Sequence, residues 1–187
     1  MNFSSIMVMG LNEEHGLKEF LLYNIKIGFE KIYFYDNSDN NNQLDVLNDV
    51  NSFYKNKIQY VKFNKNGSNV NQSSKFHFWK NFGNQNYYTA YFDCDEFVYL
   101  TKKYSNINSL LKNYQNHDAL SLNWKMFKMY EDFEPSPKTK TMIFRDRNYN
   151  GAVKLILKNS AINGNFLTSH IPFSMKNDNI FNLTSLS

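Results

Sequence analysis

The stretch YYTAYFDCDEF, residues 87–97, places three carboxylates within four positions, directly after a run of aromatic and apolar side chains. The run from 87 to 93 is rich in the aromatic and β-branched residues that favour a central strand. Charged groups are costly to bury unless something pairs with them, so this segment ends either in water or beside a cation. In an extended strand alternate side chains share a face, which predicts that Asp93 and Asp95 point the same way.

Two carboxylates on one side of a strand repel each other unless a cation or a proton lies between them. A hard divalent cation resolves the repulsion, because carboxylates, waters and substrate phosphates bind Mg²⁺ or Mn²⁺ at roughly 2.0–2.2 Å. The alternative is a solvated acidic turn, which is the more common explanation of an isolated D-x-D sequence. The buried character of the preceding run favours the metal site in this chain.

Hydrophobic periodicity predicts alternating strands and helices in the first half of the chain and more strands in the second. The predicted strands are 4–12, 31–36, 57–63, 87–93, 118–124, 141–145, 152–157 and 166–170. The predicted helices are 16–29, 44–54, 72–82 and 107–115. Such alternation favours parallel pairing through right-handed crossovers. We therefore expect an α/β fold with a mostly parallel central sheet, helices on both faces and a strand-rich second half. We expect one domain over residues 1–172 and a loose C-terminal tail over residues 173–187.

Polar side chains follow three of the predicted strands. Asn12 and Glu13 follow the first strand, Asp36 and Asn37 end the second, and the acidic stretch ends the fourth. Ligands of parallel sheets gather beyond the carboxyl ends of the strands, so these groups are expected to line one crevice. The alternatives are local: Asp36 is equally suited to start a turn, and Glu13 to cap the helix that follows it.

Charge and composition limit the possible partners. The chain has 187 residues, with 21 basic and 17 acidic side chains and a formal net charge of +4. The basic residues are scattered, so an anionic small ligand is expected rather than nucleic acid. No apolar run approaches the ~20 residues that span a bilayer. The N-terminus lacks the basic start and long apolar core of a signal peptide, so we expect a cytoplasmic protein, with peripheral membrane association left open.

Several motifs together resemble a known family. They are LNEEHGLKEFLLYNIKIGFEKIYFYDNSDN at 11–40, Gln72, YFDCDEF at 91–97 and NWKMF at 123–127. In this order they resemble glycosyltransferases with the GT-A fold, and they are similar to family-92-like and family-2-like members. The resemblance implies metal-dependent transfer of a sugar from a nucleotide-diphosphate donor, a UDP-sugar, to an acceptor hydroxyl of a glycan.

The resemblance also implies roles for individual residues, which we group by the ligand that they would contact. The donor nucleotide is expected at Asn12, Glu13, Asp36, Asn37, Asp93 and Lys154. The metal, Mn²⁺ or Mg²⁺, is expected at Asp93, Asp95 and His170. The acceptor or sugar is expected at Glu96, Trp124 and Phe127, although the two aromatic residues are also typical of a core. Asp132 lies in the proline-containing loop after NWKMF and is our candidate for the general base.

Two other classes of protein remain open at the level of sequence. A catalytically silent module that binds a nucleotide or sugar would use the same crevice. A metal-dependent phosphohydrolase would also use clustered carboxylates, although a second set of metal ligands is not evident. The sequence leaves the oligomeric state open.

Overall fold

The computed structural model describes residues 1–64, 67, 69–123, 127–128, 144–145, 153–166, 173–176 and 179–183. The helices are α1 (Glu14–Lys26), α2 (Asn42–Phe53), α3 (Val70–Phe82) and α4 (Ile107–Asn113), with 3₁₀ turns at Gly83–Gln85 and Asn159–Ala161. The strands are β1 (Asn2–Gly10), β2 (Lys31–Asp36), β3 (Ile58–Lys62), β4 (Asn86–Phe92), β5 (Ala119–Asn123), β6 (Phe127–Lys128), β7 (Phe144–Arg145), β8 (Val153–Lys158), β9 (Ile162–Phe166), β10 (Phe173–Met175) and β11 (Ile180–Leu183).

Seven strands form one sheet in the order β11-β5-β8-β4-β1-β2-β3. Strand β1 is parallel to both β2 and β4, β2 is parallel to β3, and β11 is parallel to β5. Strand β8 lies between β4 and β5 and is antiparallel to both. The predicted α/β class with a mostly parallel sheet is confirmed. The antiparallel β8 has a consequence for the site, because its first residues lie at the edge where the parallel strands end.

Alternation along the strands divides the core between the two faces of the sheet. On one face, Ile6 and Val8 of β1 share a cluster with side chains of α1, α2 and α4. On the other face, Met7 of β1 shares a second cluster with Phe78 of α3. Successive side chains of a strand point to opposite faces, so a strand buried on both sides reads as an unbroken apolar run. The predicted placement of helices on both faces is therefore confirmed.

Helix α1 shows how local sequence sets an element. Its buried stripe repeats at three and four residues and consists of Leu17, Phe20, Leu21 and Asn24. The backbone N–H groups of Gly16 and Leu17 donate to the carbonyl of Glu13, which begins the helix. Gly28 follows the helix with φ of +101°, a left-handed conformation that glycine adopts without steric cost. The predicted helix 16–29 is thus present but is shifted by two to three residues.

The C-terminal segment departs from the prediction. Residues 173–187 were expected to form a loose tail, and this is wrong for Ile180–Leu183, which pairs with β5 at the edge of the main sheet. Strand β10 pairs with β9 in a separate two-stranded sheet. Strand β9 at Ile162–Phe166 overlaps the predicted strand 166–170 only at Phe166, and residues 167–170 lie outside the described residues. Four residues of weak pattern form a strand here because an existing edge supplies their hydrogen-bond partners.

The end of β1 is tightly packed. A Cβ atom added to Gly10 would lie 2.6 Å from Phe34 Cζ and 2.7 Å from Gln43 Oε1. Both neighbours are buried, and Gln43 belongs to the hydrogen-bond network described below. Glycine at this position therefore allows β1 to end directly against the neighbouring strand and helix.

We predict that Gly10→Ala lowers the free energy of unfolding by about 1–3 kcal/mol, because the new methyl group overpacks a buried site. Urea denaturation monitored by circular dichroism measures the change. Gly83→Ala is the matched control, since its Cβ atom would lie 3.2 Å from Trp79 Cδ1 and meets no closer atom. Equal stability of Gly10→Ala and the unmodified chain would contradict this account of the strand end.

Candidate functional site

Strand β4 ends at Phe92, and the next four residues form a turn. The backbone N–H of Glu96 donates to the carbonyl of Asp93 at 3.1 Å, and the backbone N–H of Asp93 donates to Glu96 Oε2 at 2.9 Å. We call residues 93–96 the acidic turn. Strand alternation does not apply to Asp93 and Asp95, because both residues lie beyond the end of β4, so their alignment stays a prediction from sequence. Asp95 is exposed at the outside of the acidic turn, whereas Cys94 is buried.

A buried lysine holds the acidic turn. Lys154 Nζ lies 2.7 Å from Asp93 Oδ2 and 3.2 Å from Glu96 Oε1, and the Lys154 side chain is only 5% exposed. Lys154 reaches this position because β8 runs antiparallel to its neighbours and begins at the carboxyl end of β4. Lys154 was predicted to contact the donor nucleotide. Its observed partners are the carboxylates of the acidic turn.

Glu96 folds back into the acidic turn. Its side chain is 14% exposed, and its Oε1 lies 3.2 Å from the ammonium of Lys154. Burial raises the pKa of Glu96 to about 7, although the backbone N–H of Asp93 and the ammonium of Lys154 act to lower it. The predicted contact between Glu96 and an acceptor does not agree with this inward orientation. Its observed role is to close the turn.

A second lysine, Lys75, is also buried and was missed by sequence analysis. Lys75 lies on the inner side of α3 with Ser74 and Phe78. Burial lowers the pKa of Lys75 to about 8 and the positive charge of Lys154 lowers it further, while the charges of Asp93 and Glu96 act to raise it. The signal was its spacing: Lys75 precedes Phe78 by three residues, on the apolar stripe of the helix.

Asp36 is the centre of a second polar network. Its side chain has no exposed surface, and both of its oxygens accept hydrogen bonds from the protein. Oδ1 accepts from the backbone N–H of Ser38 at 2.9 Å and from the Gln43 side chain. Oδ2 accepts from the Tyr60 hydroxyl at 2.8 Å and from Lys62 Nζ at 3.1 Å. Burial alone would raise the pKa of Asp36, but these hydrogen bonds lower it.

These hydrogen bonds correct the role predicted for Asp36. Four donors surround the carboxylate, so it anchors the loop after β2 and is not presented to a ribose or base. Lys62 extends the anchor, because its ammonium also donates to the carbonyls of Ser38 and Asn40. The alternative given by the sequence, that Asp36 starts a turn, matches the hydrogen bond from the backbone of Ser38.

Gln43, also missed by sequence analysis, joins the loops after β1 and β2. Its Nε2 donates to Ser38 Oγ at 2.7 Å, and its Oε1 accepts from the backbone N–H of Glu13 at 2.9 Å. The backbone N–H of Asn12 donates to the same Ser38 oxygen at 2.8 Å. Asn12 has φ of +55° and an exposed side chain. The two loops are therefore fixed against each other, with Asn12 at the surface.

The remaining predicted residues are placed as follows. Asn37 continues the register of β2, because its backbone N–H donates to the carbonyl of Gly10 at 3.0 Å. Phe127 lies in β6, but its side chain is outside the described part of the structure. Trp124, Asp132 and His170 also lie outside the described residues. The roles of these four remain predictions from sequence.

The acidic turn has part of the chemistry of a divalent-cation site. Within the described ranges, no three His, Cys, Asp or Glu side chains converge on one possible metal position. Asp93 and Asp95 supply two carboxylates, and the side chain of Asp93 is 48% exposed despite its ion pair with Lys154. Carboxylate oxygens are the hard ligands that Mg²⁺ and Mn²⁺ prefer, so these two residues fit such an ion. The third predicted ligand, His170, is outside the described residues.

Family comparison agrees with this architecture. The model of Glycosyltransferase family 92 matches residues 8–186, nearly the whole chain. The chain therefore belongs to Glycosyltransferase family 92, as the motif resemblance predicted. No curated protein matches the sequence. Among the described residues, no helix combines the length and apolar character needed to cross a membrane.

Several solved structures are similar to this chain at low identity. TarS of S. aureus, residues 1–349, is similar with a TM-score of 0.51 and 13% identity, over 97% of this chain and 58% of that chain. The synthetase of CMP:2-keto-3-deoxy-manno-octonic acid gives a TM-score of 0.46 and 8% identity, over 84% of this chain and 75% of that chain. GlyE of Streptococcus pneumoniae gives a TM-score of 0.43 and 10% identity, over 85% of this chain and 34% of that chain. The predicted GT-A-like architecture is confirmed by the first of these, and this chain spans little more than half of its length.

The raised pKa of Glu96 predicts how stability depends on pH. Between its ordinary value of 4.5 and about 7, the folded protein keeps a proton that the unfolded chain has lost. Raising the pH through this window therefore lowers the free energy of unfolding, by at most about 3 kcal/mol. Glu96→Gln remains neutral, so its stability should change less between pH 5 and pH 7.5. Urea denaturation at both values, in metal-free buffer, measures the difference.

The control is Asp45→Asn, an exposed residue in the first turn of α2. This variant should keep the pH dependence of the unmodified chain. A parallel pH dependence in Glu96→Gln and the unmodified chain would show that Glu96 is not a buried, protonated group.

Proposed function

We propose that this chain is a metal-dependent glycosyltransferase that moves a sugar from a UDP-sugar to a hydroxyl group of a glycan. The single observation that supports this most strongly is the acidic turn at the carboxyl end of β4. Its position beside the loops after β1 and β2 is the edge of a parallel sheet where ligands bind. Membership of Glycosyltransferase family 92 supports the class of reaction.

In this proposal Asp93 and Asp95 hold Mn²⁺ or Mg²⁺, with His170 as a third ligand predicted from sequence. A bound divalent cation supplies Lewis-acid stabilisation of the negative charge that develops on a departing nucleoside diphosphate. Lys154 fixes Asp93, so the carboxylate is oriented before the donor arrives. Asp95 is exposed on the outer side of the turn and has its oxygens available to a ligand.

The loops after β1 and β2 would receive the nucleoside part of the donor. Asn12 and Asn37 are the candidates, since the network of Asp36, Ser38 and Gln43 fixes the backbone around them. Glu13 contributes its backbone N–H to that network, and its side chain is half-buried. On the acceptor side, Trp124 and Phe127 are proposed to contact the sugar. Asp132 is proposed to accept the proton of the attacking hydroxyl, which requires an approach of about 2.6–3.2 Å.

Release of UDP from UDP-sugars in the presence of Mn²⁺ tests this proposal. Asp95→Asn should lower the rate at least about 100-fold, because the charge that holds the cation is lost and such stabilisation contributes several kcal/mol. The variant should retain the circular dichroism spectrum and stability of the unmodified chain, since Asp95 is exposed. Asp45→Asn, on the surface of α2, is the matched control and should keep full activity.

The other outcomes of the same assay identify the alternatives. Binding of UDP-sugars without release of UDP would indicate a silent nucleotide-binding or sugar-binding module. Cleavage of unrelated phosphoesters would indicate a metal-dependent phosphohydrolase. Activity of Asp95→Asn close to that of the unmodified chain would refute the metal site at the acidic turn.

A further inference from the structure

The edge of the main sheet opposite the candidate site is basic. Lysines lie there at the amino ends of the parallel strands and at the carboxyl end of the antiparallel β8: Lys31, Lys55, Lys57, Lys112, Lys158 and Lys176. They are scattered along the sequence, and the strand order brings them to one edge. Within the described ranges none of these six forms an ion pair with a carboxylate, whereas Lys62 and Lys154 at the candidate site both do.

The carboxylates at this edge do not balance the lysines. Glu30 is engaged by the protein, because its Oε2 accepts from the backbone N–H of Phe3 at 2.9 Å and its Oε1 accepts from the side chain of Asn108 at 3.0 Å. Asp118, the residue before β5, is half-buried. Six lysines and two carboxylates leave this edge, as far as the structure describes it, with a net positive charge.

Two aromatic side chains are exposed at the same edge. Phe53 ends α2 and is 79% exposed, and Tyr54 follows it and is 42% exposed. We call residues 53–57 the aromatic turn. The backbone N–H of Lys57 donates to the carbonyl of Tyr54 at 3.1 Å. Asn56 has φ of +65°, a left-handed conformation that asparagine adopts more readily than most residues. The aromatic turn therefore presents both rings to solvent from a hydrogen-bonded backbone.

We propose that this edge docks on a membrane surface that contains anionic lipids, with Phe53 and Tyr54 at the level of the headgroups. Lysines next to a membrane are attracted by anionic lipids, and aromatic rings favour the interface between headgroups and acyl chains. The aromatic turn combines both, because Lys55 is exposed beside the rings and Lys31 Nζ donates to the carbonyl of Asn56 at 2.7 Å.

The size and exposure of the aromatic turn favour a lipid surface over a macromolecular partner. A stable protein interface uses about 20–30 residues on each side, whereas the exposed apolar surface here consists of two rings. Single-stranded nucleic acid stacks its bases on aromatic rings inside basic grooves. A Phe53 side chain that is 79% exposed is not enclosed by a groove. Insertion among lipid headgroups needs only a few exposed side chains on a positively charged surface.

Docking at this edge leaves the candidate site directed away from the bilayer. The acidic turn follows the carboxyl end of β4, whereas the aromatic turn precedes the amino end of β3. The six residues of β2, which lies beside β3, separate the two edges by about 20 Å. Ligands of the candidate site would therefore reach it from water. This inference does not depend on the proposed function.

Sedimentation with lipid vesicles tests the inference on the whole chain, without donor or metal. The chain should bind vesicles of phosphatidylcholine that contain phosphatidylglycerol at about 0.1 M salt, where the screening length is about 10 Å. Binding to vesicles of phosphatidylcholine alone should be at least about 10-fold weaker, because the attraction of the lysines is lost. Raising the salt to about 1 M should release the protein, since the screening length falls to about 3 Å.

Single variants separate the contributions of charge and of the aromatic rings. Lys55→Gln should weaken binding to the anionic vesicles about fivefold, the effect of one lysine near such a surface, and Lys55→Gln with Lys112→Gln about 25-fold. Phe53→Ser should weaken binding about 5- to 10-fold, because an apolar ring is lost from the interface. Lys18→Gln is the matched control and should bind like the unmodified chain, since Asp49 already neutralises Lys18.

The remaining outcomes each overturn the inference. Failure to bind anionic vesicles, or equal binding to both kinds of vesicle, would exclude docking driven by anionic lipids. A loss in Lys55→Gln without any loss in Phe53→Ser would indicate binding to polyanions in general, which a single-stranded oligonucleotide in the same assay would confirm. A dimer in analytical ultracentrifugation that Phe53→Ser abolishes would show that a second copy covers the aromatic turn. None of these results bears on release of UDP, which is measured without vesicles.

Discussion

The ion pair of Lys154 with Asp93 and Glu96 determines the shape of the candidate site. A carboxylate pair at the end of a buried strand would repel and would draw in water. One buried ammonium removes that repulsion, and it ties the turn after β4 to the first residues of β8. This is possible because β8 is the antiparallel member of an otherwise parallel group of strands. The turn is therefore formed by the protein itself, and Asp95 remains exposed for a ligand.

The same principle operates on the neighbouring strands. Asp36 lies at the end of β2 and is neutralised by Lys62, while Gln43 and Tyr60 complete its hydrogen bonds. Buried polar groups must be satisfied, and a fully satisfied network gives rigid loops. The candidate site thus contains two acidic groups with different environments, Asp36 and the acidic turn. Asp36 is buried and all its hydrogen bonds are made within the protein. In the acidic turn, by contrast, Asp95 is exposed and Asp93 is half-exposed.

Periodicity predicted the framework of the fold well. Lys31–Asp36 forms a strand with the predicted bounds, because an aromatic and β-branched run between polar loops has few other stable conformations. Ile180–Leu183 was missed, since a strand at the edge of a sheet depends on its neighbour more than on its own pattern. Strand β4 ends at Phe92, one residue before the predicted end, because the end of a strand is decided by hydrogen bonds that the sequence does not reveal.

The acidic residues of the site were predicted from the sequence, but the residues around them were not. Asp93 and Asp95 stand out in sequence because carboxylates after an apolar run are unusual. Lys75 and Gln43 do not, since lysine and glutamine are ordinary residues of exposed helix surfaces. Only tertiary packing reveals that these two side chains are buried. The hydrogen-bond and ion-pair partners of a site come from elements that are distant in sequence. They are therefore the part of a site that is hardest to predict from one sequence.

Anomalous diffraction from a crystal soaked with Mn²⁺ and UDP tests the central claim most directly. The account predicts a manganese peak at roughly 2.0–2.2 Å from carboxylate oxygens of the acidic turn, with the diphosphate bound to the same ion. Ordered UDP whose phosphates lie away from Asp93 and Asp95, or a manganese peak elsewhere in the molecule, would contradict it.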